Sequence, residues 1–295
     1  MRHNATETHF GAADTWVILS TIEQSIKRKI EAVGVPLKDW DIQINYGIKT
    51  GFNDAFIIST EIRNQILENC ADEAERERTD ALIRPILRGR DIKRYGYEWA
   101  DLWLINTHNG IKGKLERIHI EDYPAVKAHL DQYWDKISTR TDKGDTPYNL
   151  RNCAYLDDFC SPKIIWAELS RTGNSFVLDE EQHFLGNTGY ILTDSANDKS
   201  KLLYLLANLN SRIILYQLDR ITTRFDNNGW RWLRQFIEQI RIPRYGVSSS
   251  ISSIAASTTR DNQLKNSEII NKEIYRLFGL SKMEIEYINC CLRGY

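Results

Sequence analysis

The chain has 295 residues, is 42% hydrophobic and carries a formal net charge of −1, so it can bury a sizeable core in one large or two modest domains. This balance gives no overall attraction to nucleic acid, so any DNA binding would require clustered cations. The five cysteines fit neither a disulfide framework nor a zinc site, and no apolar run suits a membrane span or an export signal, so we expect a soluble protein of the reducing cytoplasm.

The first predicted element is an amphipathic helix, because Ile22, Ile26 and Ile30 recur at helical spacing before Gly34. Residues 44–58 predict a strand, an exposed polar turn and a second strand. Short aromatic or β-branched runs predict further strands at residues 101–106, 163–169, 176–179 and 190–193, and helical apolar spacing predicts helices at residues 123–137 and 199–218. These elements predict the α+β fold class, with a mixed β-sheet covered by helices.

The composition changes at residues 247–253, whose serines predict a linker or loop. Beyond them, apolar residues at helical spacing up to Gly279 predict one helix, and a capping box of Ser281 and Glu284 predicts the start of another. We therefore expect residues 246–295 to form a linker and a C-terminal helical hairpin. A helix-turn-helix is the alternative, but the exposed faces of this hairpin are not notably basic.

Two segments predict contact with an anionic partner. Gly47 and Gly51 bracket Lys49 and Thr50, so these two side chains can be held out toward a ligand. Five of the eleven residues from Arg84 to Arg94 are basic. Together the two segments indicate contact with phosphates.

These two segments resemble the C-terminal specificity domain of fused restriction-methylation enzymes of the Eco57I type, which is related to the recognition domain of the TaqI methyltransferase. Three further blocks resemble the same family in the same order, at residues 123–130, 142–153 and 162–166. The resemblance spans residues 16–243 and implies a DNA target-recognition module that normally sits beside an adenine-N6 methyltransferase core, and often a nuclease, in one polypeptide. It predicts a helical connector at residues 1–40 and a TaqI-like DNA target-recognition domain at residues 41–245.

The chain itself lacks the catalytic turn of DNA amino-methyltransferases, in which Asn, Asp or Ser precedes Pro-Pro-Tyr or Pro-Pro-Phe. Its six prolines are never adjacent, and no glycine-rich turn suits a nucleoside cofactor. We therefore expect no catalytic centre, cofactor or metal in this chain, and S-adenosylmethionine and Mg²⁺ only in associated catalytic domains. One alternative stays open: Asp80, Asp91 and Lys93 match the two acids and the lysine that a Mg²⁺ nuclease commonly needs.

Cations that neutralise phosphates supply affinity, and side chains that match base edges supply specificity. The basic run is expected to contact phosphates. The polar loop at residues 139–151 and the turn at residues 222–232 are expected to reach a groove, unless they are ordinary surface loops and Trp230 and Trp232 are core aromatics. The predicted DNA-binding residues are Lys49, Thr50, Asn53, Asp54, Arg88, Arg90, Lys93, Arg94, Arg140, Lys143, Thr146, Tyr148, Arg151, Asn187, Arg224, Asn227, Asn228 and Arg231.

The predicted partner is double-stranded DNA, together with a methyltransferase domain and, where one is present, a nuclease domain, either fused to this chain or on a separate subunit. No membrane partner is expected. In this interpretation the chain presents DNA to the methyltransferase, which extrudes an adenine into its own pocket. Two alternatives stay open: a self-contained Mg²⁺ restriction nuclease, and a protein-interaction module of a DNA-defence complex whose C-terminal helices dock another subunit.

Overall fold

The computed structural model describes residues 19–225, 229–246 and 249–293 and divides into two compact units. The first, which we call the sheet unit, comprises Ile42–Ser170 and Ser175–Leu202. The second, the helical unit, comprises the described residues of Met1–Asp41, Arg171–Asn174 and Leu203–Tyr295. The predicted domain limits at residues 40 and 245 stay predictions, and residues 203–245 fall in the same unit as the C-terminal helices.

The α-helices of the described ranges are α1 (Thr21–Val33), α2 (Asn53–Phe56), α3 (Thr60–Glu68), α4 (Glu73–Leu82), α5 (Pro124–Asp131), α6 (Trp134–Ile137), α7 (Lys199–Leu209), α8 (Arg212–Ile221), α9 (Arg234–Ile237), α10 (Ser249–Ala256), α11 (Gln263–Leu277) and α12 (Lys282–Cys291). The strands are β1 (Gly34–Pro36), β2 (Ile42–Tyr46), β3 (Ile57–Ser59), β4 (Ile83–Leu87), β5 (Ile92–Lys93), β6 (Gly96–Tyr97), β7 (Leu102–Ile105), β8 (Lys163–Ala167), β9 (Leu169–Ser170), β10 (Phe176–Asp179), β11 (Phe184–Leu185), β12 (Gly189–Asp194), β13 (Arg224–Phe225), β14 (Gly229–Arg231) and β15 (Arg241–Pro243). None of these helices is long and apolar enough to span a lipid bilayer.

The sheet unit contains two four-stranded sheets. The first has the strand order β10-β8-β12-β2 and is antiparallel throughout, so that Ile191 of β12 pairs with Ile165 on one side and Asn45 on the other. The second has the order β11-β4-β7-β3, in which β11 runs parallel to β4 and the other pairs are antiparallel. The mixed pairing and the accompanying helices confirm the predicted α+β class.

One hydrophobic core inside the sheet unit takes side chains from both sheets and from a helix. Ile165 and Ile191 come from the first sheet, Ile86 and Leu104 from the second, and Leu130 from α5, and each of them is almost completely buried. Burial of such side chains contributes about 1.5 to 3 kcal/mol each. The shared core therefore holds the strand ends as a rigid support for the loops that leave them.

The predicted helices at both ends of the chain are confirmed. Ser20 and Glu23 form a capping box for α1, which ends where Gly34 adopts an extended φ of −83° and begins β1. Near the C-terminus, α11 and α12 are both present, and Ser281 and Glu284 form the predicted capping box.

Four other predictions are wrong in detail, each for a local reason. The predicted helix at residues 199–218 is two helices, because Ser211 caps α8 after a break. The predicted helix at residues 123–137 likewise divides into α5 and α6. The second strand predicted within residues 44–58 is shorter, since α2 precedes β3. The predicted linker is helical over its described part, α10, because Ile251 and Ala255 lie one turn apart and are buried.

The helical unit contains two short strand pairs and a buried tryptophan pair. β1 is antiparallel to β15, and β13 is antiparallel to β14. Trp230 and Trp232 stack with ring centroids 5.5 Å apart and are buried, and Trp232 Nε1 donates to the oxygen of Gly173 over 3.3 Å. Both tryptophans are therefore core aromatics, which is the alternative that the sequence left open.

Glu284 links α12 to α1 in the helical unit. The Glu284 carboxylate accepts three hydrogen bonds: from Lys29 Nζ over 2.6 Å, from Ser25 Oγ over 2.7 Å and from the main-chain nitrogen of Ser281 over 2.6 Å. Burial alone would raise the pKa of Glu284, but these donors outweigh it and lower the pKa from 4.5 to about 2.

Glu284→Gln should lower the free energy of unfolding by about 2 to 3 kcal/mol at neutral pH, because the amide lacks the charge that Lys29 stabilises. The folded-state pKa lies below the ordinary value, so this contribution is present above pH 4.5 and is lost as the pH falls toward 2. Urea unfolding across the acid range measures it. Glu286→Gln, an exposed change on the same helix, should leave the acid dependence unchanged, and equal curves for the two variants would contradict the assignment.

Candidate nucleic-acid interface

Main-chain hydrogen bonds join the loop at residues 185–189 to two other turns of the sheet unit. On one side, the nitrogen of Ile48 donates to the oxygen of Leu185 over 2.6 Å. On the other, the nitrogen of Gly186 donates to the oxygen of Leu87 over 2.9 Å. The loop is therefore held between the turn that follows β2 and the turn that follows β4.

Gly47 and Gly51 are both required for the turn that carries Lys49. A Cβ at position 47 would lie 2.0 Å from the carbonyl oxygen of Gly186, so a side chain there would collide with main chain. Gly51 has a φ of +73°, and its Cβ would lie 2.5 Å from the oxygen of Asp142. A side chain at position 47 would therefore collide with main chain, and at position 51 it would also meet a strained backbone.

A first hollow, with a volume of about 550 Å³, is lined by Lys49, Arg151 and Asn187 among other residues. Lys49 Nζ lies 2.8 Å from one oxygen of Asp142, and Arg151 Nη1 lies 3.4 Å from the other. The hydrogen bond from Lys49, aided by the charges of both cations, lowers the pKa of Asp142. Because two cations share one carboxylate, this group of three keeps a net positive charge.

A second hollow, of about 520 Å³, also contains Asn187 and is lined by Asn53, Arg88 and Arg90. Arg88 donates from Nε and Nη2 to Asp91 over 3.0 and 2.8 Å, and this hydrogen bonding raises the pKa of Arg88. Arg90 is exposed and forms no ion pair with another described residue. We call the surface of the two hollows the Asn187 face, and the predicted residues that it brings together are Lys49, Asn53, Arg88, Arg90, Arg151 and Asn187.

Arg140 is a correction to the predicted DNA contacts. It is 7% exposed, and its guanidinium donates to the main-chain oxygens of Thr50, Pro147 and Asn149, the last two over 3.0 and 2.7 Å. Burial lowers the pKa of Arg140 to about 10, so the group stays protonated at neutral pH. The side chain therefore holds its own loop against the turn at Thr50 and is not available to a duplex.

Arg140→Met should lower the free energy of unfolding by about 3 kcal/mol, because three carbonyl oxygens lose a charged donor while most of the side-chain volume remains. Arg151→Met, an exposed change in the same loop, should cost less than about 0.5 kcal/mol. Urea unfolding of both variants measures the difference. Small and equal losses would mean that the Arg140 guanidinium does not hold the loop.

Three other predicted polar contacts are engaged in local hydrogen bonds. Thr50 is 2% exposed and donates to Asn53 Oδ1 over 2.6 Å, so this prediction is also corrected. Thr146 Oγ1 donates to an amide oxygen of its own loop over 2.6 Å. Tyr148 donates from its hydroxyl to Asp131 Oδ1 over 2.5 Å. These bonds shape the loops that flank the Asn187 face.

The remaining predicted residues line neither hollow. Lys93 Nζ donates to a nearby main-chain oxygen over 2.6 Å, and Lys143 Nζ donates to the oxygen of Ser138 over 2.7 Å. Two arginines, Arg224 and Arg231, belong to the helical unit. Besides Thr50 and Arg140, the predicted and described residues that line neither hollow are Asp54, Lys93, Arg94, Lys143, Thr146, Tyr148, Arg224 and Arg231. Asn227 and Asn228 lie outside the described residues.

Among the residues that line the hollows, sequence reasoning did not name Tyr46, Asn152 or Glu168 as DNA contacts. Tyr46 is 51% exposed at the end of β2, directly before Gly47. Its position beside the glycine turn was a signal that could have identified it. Asn152 directly follows the predicted contact Arg151, whereas nothing in the sequence near Glu168 places it beside Asn187.

Two further side chains of the first hollow do not contribute charge. Burial raises the pKa of Cys153 to about 11 and that of Tyr155 to about 12. Both groups therefore stay neutral near pH 7. The charge of this hollow is set by Lys49, Asp142 and Arg151.

The nuclease alternative gains no support from the geometry. Both carboxylate oxygens of Asp91 accept hydrogen bonds from Arg88, and Asp80 is paired with Arg63. Within the described ranges, no group of three His, Cys, Asp or Glu side chains could hold a metal ion. The two acids are thus each held by a different arginine.

Residues 84–242 match the family of TaqI-like C-terminal specificity domains. The chain belongs to this family, and the predicted resemblance is confirmed.

Two curated methyltransferases are similar to this chain. It is 23% identical to the type II methyltransferase M.PaeR7I of Pseudomonas aeruginosa over 279 residues. This match covers 92% of this chain and 44% of that protein. It is also 23% identical to the type II methyltransferase M.BanIII of Aneurinibacillus aneurinilyticus over 207 residues, a match that covers 68% of this chain and 34% of that protein. The chain therefore spans less than half the length of these relatives.

Two solved structures share the fold. The Type IIL restriction-modification enzyme MmeI, solved in complex with DNA, superposes with a TM-score of 0.61 at 14% identity, over 86% of this chain and 35% of that one. The type IIG restriction endonuclease BpuSI superposes with a TM-score of 0.50 at 11% identity, over 88% of this chain and 33% of that one. At these identities the likeness concerns the fold alone.

Proposed function

We propose that this chain is the DNA target-recognition part of a type II restriction-modification enzyme and that the Asn187 face contacts the duplex. The observation that carries the proposal is the position of Asn187, exposed between hollows that hold Lys49, Arg151 and Arg90. In such a site, the cations on both sides would contact phosphates and fix the position of the protein along the duplex. The amide between them would then form hydrogen bonds with a base edge. Membership of the specificity-domain family supports the same function.

The residues of the face have different chemical roles in this proposal. Lys49, Arg90 and Arg151 neutralise phosphates and supply affinity that falls with salt. The Asn187 amide can donate to N7 of adenine and accept from its N6 amino group in the major groove. Glu168, which also lines the second hollow, can accept a hydrogen bond from a cytosine amino group.

In this proposal, methyl transfer is carried out by a methyltransferase domain that is fused to this chain or lies on a separate subunit. The methyltransferases that resemble this chain extend well beyond the matched part, which covers 44% and 34% of them. S-adenosylmethionine would bind in that domain, and Mg²⁺ in a nuclease domain where one is present. The recognition domain would hold the duplex while an adenine is extruded into the neighbouring pocket.

Selection from randomised duplexes tests the proposal at low salt, where phosphate contacts are strongest. The purified chain should enrich one motif, and its affinity for that motif should fall steeply as salt is raised. Binding that is insensitive to salt and enriches no motif would refute the proposal.

Variants of the face separate affinity from specificity. Lys49→Gln should weaken binding to all sequences and reduce the salt slope by about 0.9, because one phosphate contact is lost. Asn187→Ala should relax selection at one base pair by about 5- to 150-fold, the equivalent of about 1 to 3 kcal/mol. Lys199→Gln is the matched control, since Lys199 is also an exposed lysine with one ion pair and lines neither hollow. Equal effects of Lys49→Gln and Lys199→Gln would exclude the face as the contact surface.

A further inference from the structure

A separate basic hollow lies in the helical unit among α8, α11 and α12. Its volume is about 760 Å³, and its cationic lining residues are Arg212, Lys272, Arg276 and Arg293. Glu268 is the acid that lines it, and Arg276 also pairs with Glu273 over 3.0 Å. Four cations against these two acids leave a net positive charge. We call this site the C-terminal hollow.

Two buried donors in the wall of the C-terminal hollow lack a partner within the described residues. The hydroxyl of Tyr275 and Nε of Arg212 are shielded from solvent and form no hydrogen bond. Tyr275 is 5% exposed, and burial raises its pKa to about 12, so the hydroxyl keeps its proton. A buried donor without an acceptor costs about 1 to 3 kcal/mol. A ligand rich in acceptor oxygens would supply what these two donors lack.

Arg212 is fixed at the junction of the three helices. Its main-chain nitrogen donates to Asn271 Oδ1 over 2.9 Å, and one Nη donates to the oxygen of Leu292 over 3.5 Å. This long contact is the one hydrogen bond of the guanidinium in the described part of the chain. The backbone of Arg212 is thus held in place, while most N–H groups of its guanidinium remain available to a ligand.

We propose that the C-terminal hollow binds phosphodiester groups of nucleic acid. Three of its four cations are arginines, whose planar forks bind phosphate oxygens in pairs. Its one aromatic lining residue, Tyr275, is buried and offers no exposed ring for a base to stack on, which favours a backbone contact over a nucleotide. The inference rests on the DNA-binding function proposed above and extends it to a hollow built from Arg212 together with residues of α11 and α12, which lie beyond residue 242, where the family match ends.

The test compares two variants of the whole chain that remove the same charge. Lys272→Gln/Arg276→Gln removes two exposed cations of the hollow. Lys27→Gln/Lys282→Gln removes two exposed lysines of α1 and α12 that do not line it. Binding to a duplex of about 30 base pairs is measured against salt for the selected motif and for a scrambled sequence.

The hollow variant should bind both duplexes about tenfold more weakly, and its salt slope should be smaller by about 1 to 2, because phosphate contacts carry no sequence information. The control variant should change neither quantity appreciably. Equal losses in the two variants would reveal a general charge effect and overturn the proposal. Unchanged binding by the hollow variant would overturn it as well, while leaving the function of the Asn187 face intact.

Two further outcomes complete the test. If the wild-type chain binds no duplex at all, both this proposal and the function proposed for the Asn187 face are refuted. Poly-glutamate serves as a second probe because an acidic polypeptide would meet the same cations. If the hollow variant loses binding to poly-glutamate but keeps its affinity for DNA, the hollow belongs to an acidic protein partner and the proposal is overturned.

Discussion

Gly47→Ala should lower the free energy of unfolding by about 3 kcal/mol and abolish the selection of a DNA motif. An alanine Cβ would lie 2.0 Å from the carbonyl oxygen of Gly186, a distance that real Cβ atoms essentially never show. That oxygen belongs to main chain fixed by the hydrogen bond from Gly186 to Leu87. The collision can therefore be relieved only by moving the loop that carries Asn187, so stability and DNA selection should be lost together.

Gly186→Ala is the matched control for this change. The nearest atom to its Cβ would be the oxygen of Leu87 at 3.7 Å, which is an ordinary contact. This variant should cost less than about 1 kcal/mol and retain the selected motif. Urea unfolding and selection from randomised duplexes measure both quantities. If Gly47→Ala is tolerated as well as Gly186→Ala, the close approach does not hold the Asn187 face.

The turn around Lys49 was predictable from sequence because its signals are local. Glycine spacing, polarity and flanking apolar runs all lie within residues 44–58, and they predicted an exposed cation between two glycines. The neighbour of this turn was not predictable, because Gly186 is distant in the chain and nothing near Gly47 identifies it. The family resemblance covered the turn around Lys49, and Asn187 was named separately as a candidate, but only the fold brings the two into one hollow.

Arg140 illustrates why polarity alone misassigns side chains. Its loop is long, polar and punctuated by glycine and proline, a pattern that predicts exposure. The carbonyl oxygens of Thr50, Pro147 and Asn149 converge on one point, and a buried guanidinium is the side chain that satisfies all three. Such convergence depends on backbone geometry and leaves no pattern in the sequence. Arg151, eleven residues along the same loop, carries the same signals and is exposed.

The largest loss of stability is expected from Asp179→Ala in the sheet unit. Lys163 and Asp179 are both fully buried, with Nζ 2.6 Å from Oδ2, and His183 Nδ1 lies 2.9 Å from Oδ1. Burial alone would raise the pKa of Asp179, but the hydrogen bond from His183 and the charge of Lys163 outweigh it and lower the pKa. Alanine would leave the ammonium of Lys163 buried without its counter-charge, a change that costs about 3 to 5 kcal/mol.

The same variant should disturb the sheet that leads to the Asn187 face. Lys163 begins β8 and Asp179 ends β10, and the two residues are opposite each other in the antiparallel register. Lys163 Nζ also donates to the oxygen of Phe159 over 2.7 Å, so the ammonium joins the segment before β8 to the strand beside it. The sequence predicted both strands, but the charges that pair their ends are too far apart in the chain to be recognised as partners.

Lys163→Met/Asp179→Leu separates buried charge from packing as the cause of the loss. Removing both charges also removes their desolvation cost, so the double variant should recover most of the stability that Asp179→Ala loses. The folded-state pKa of Asp179 is lowered, so its contribution is present above its ordinary value of 3.8 and is lost as the pH falls below it. Urea unfolding should therefore show an acid-dependent loss in the wild type that is smaller in the double variant. A double variant as unstable as Asp179→Ala would show that packing, and not an unpaired ammonium, sets the loss.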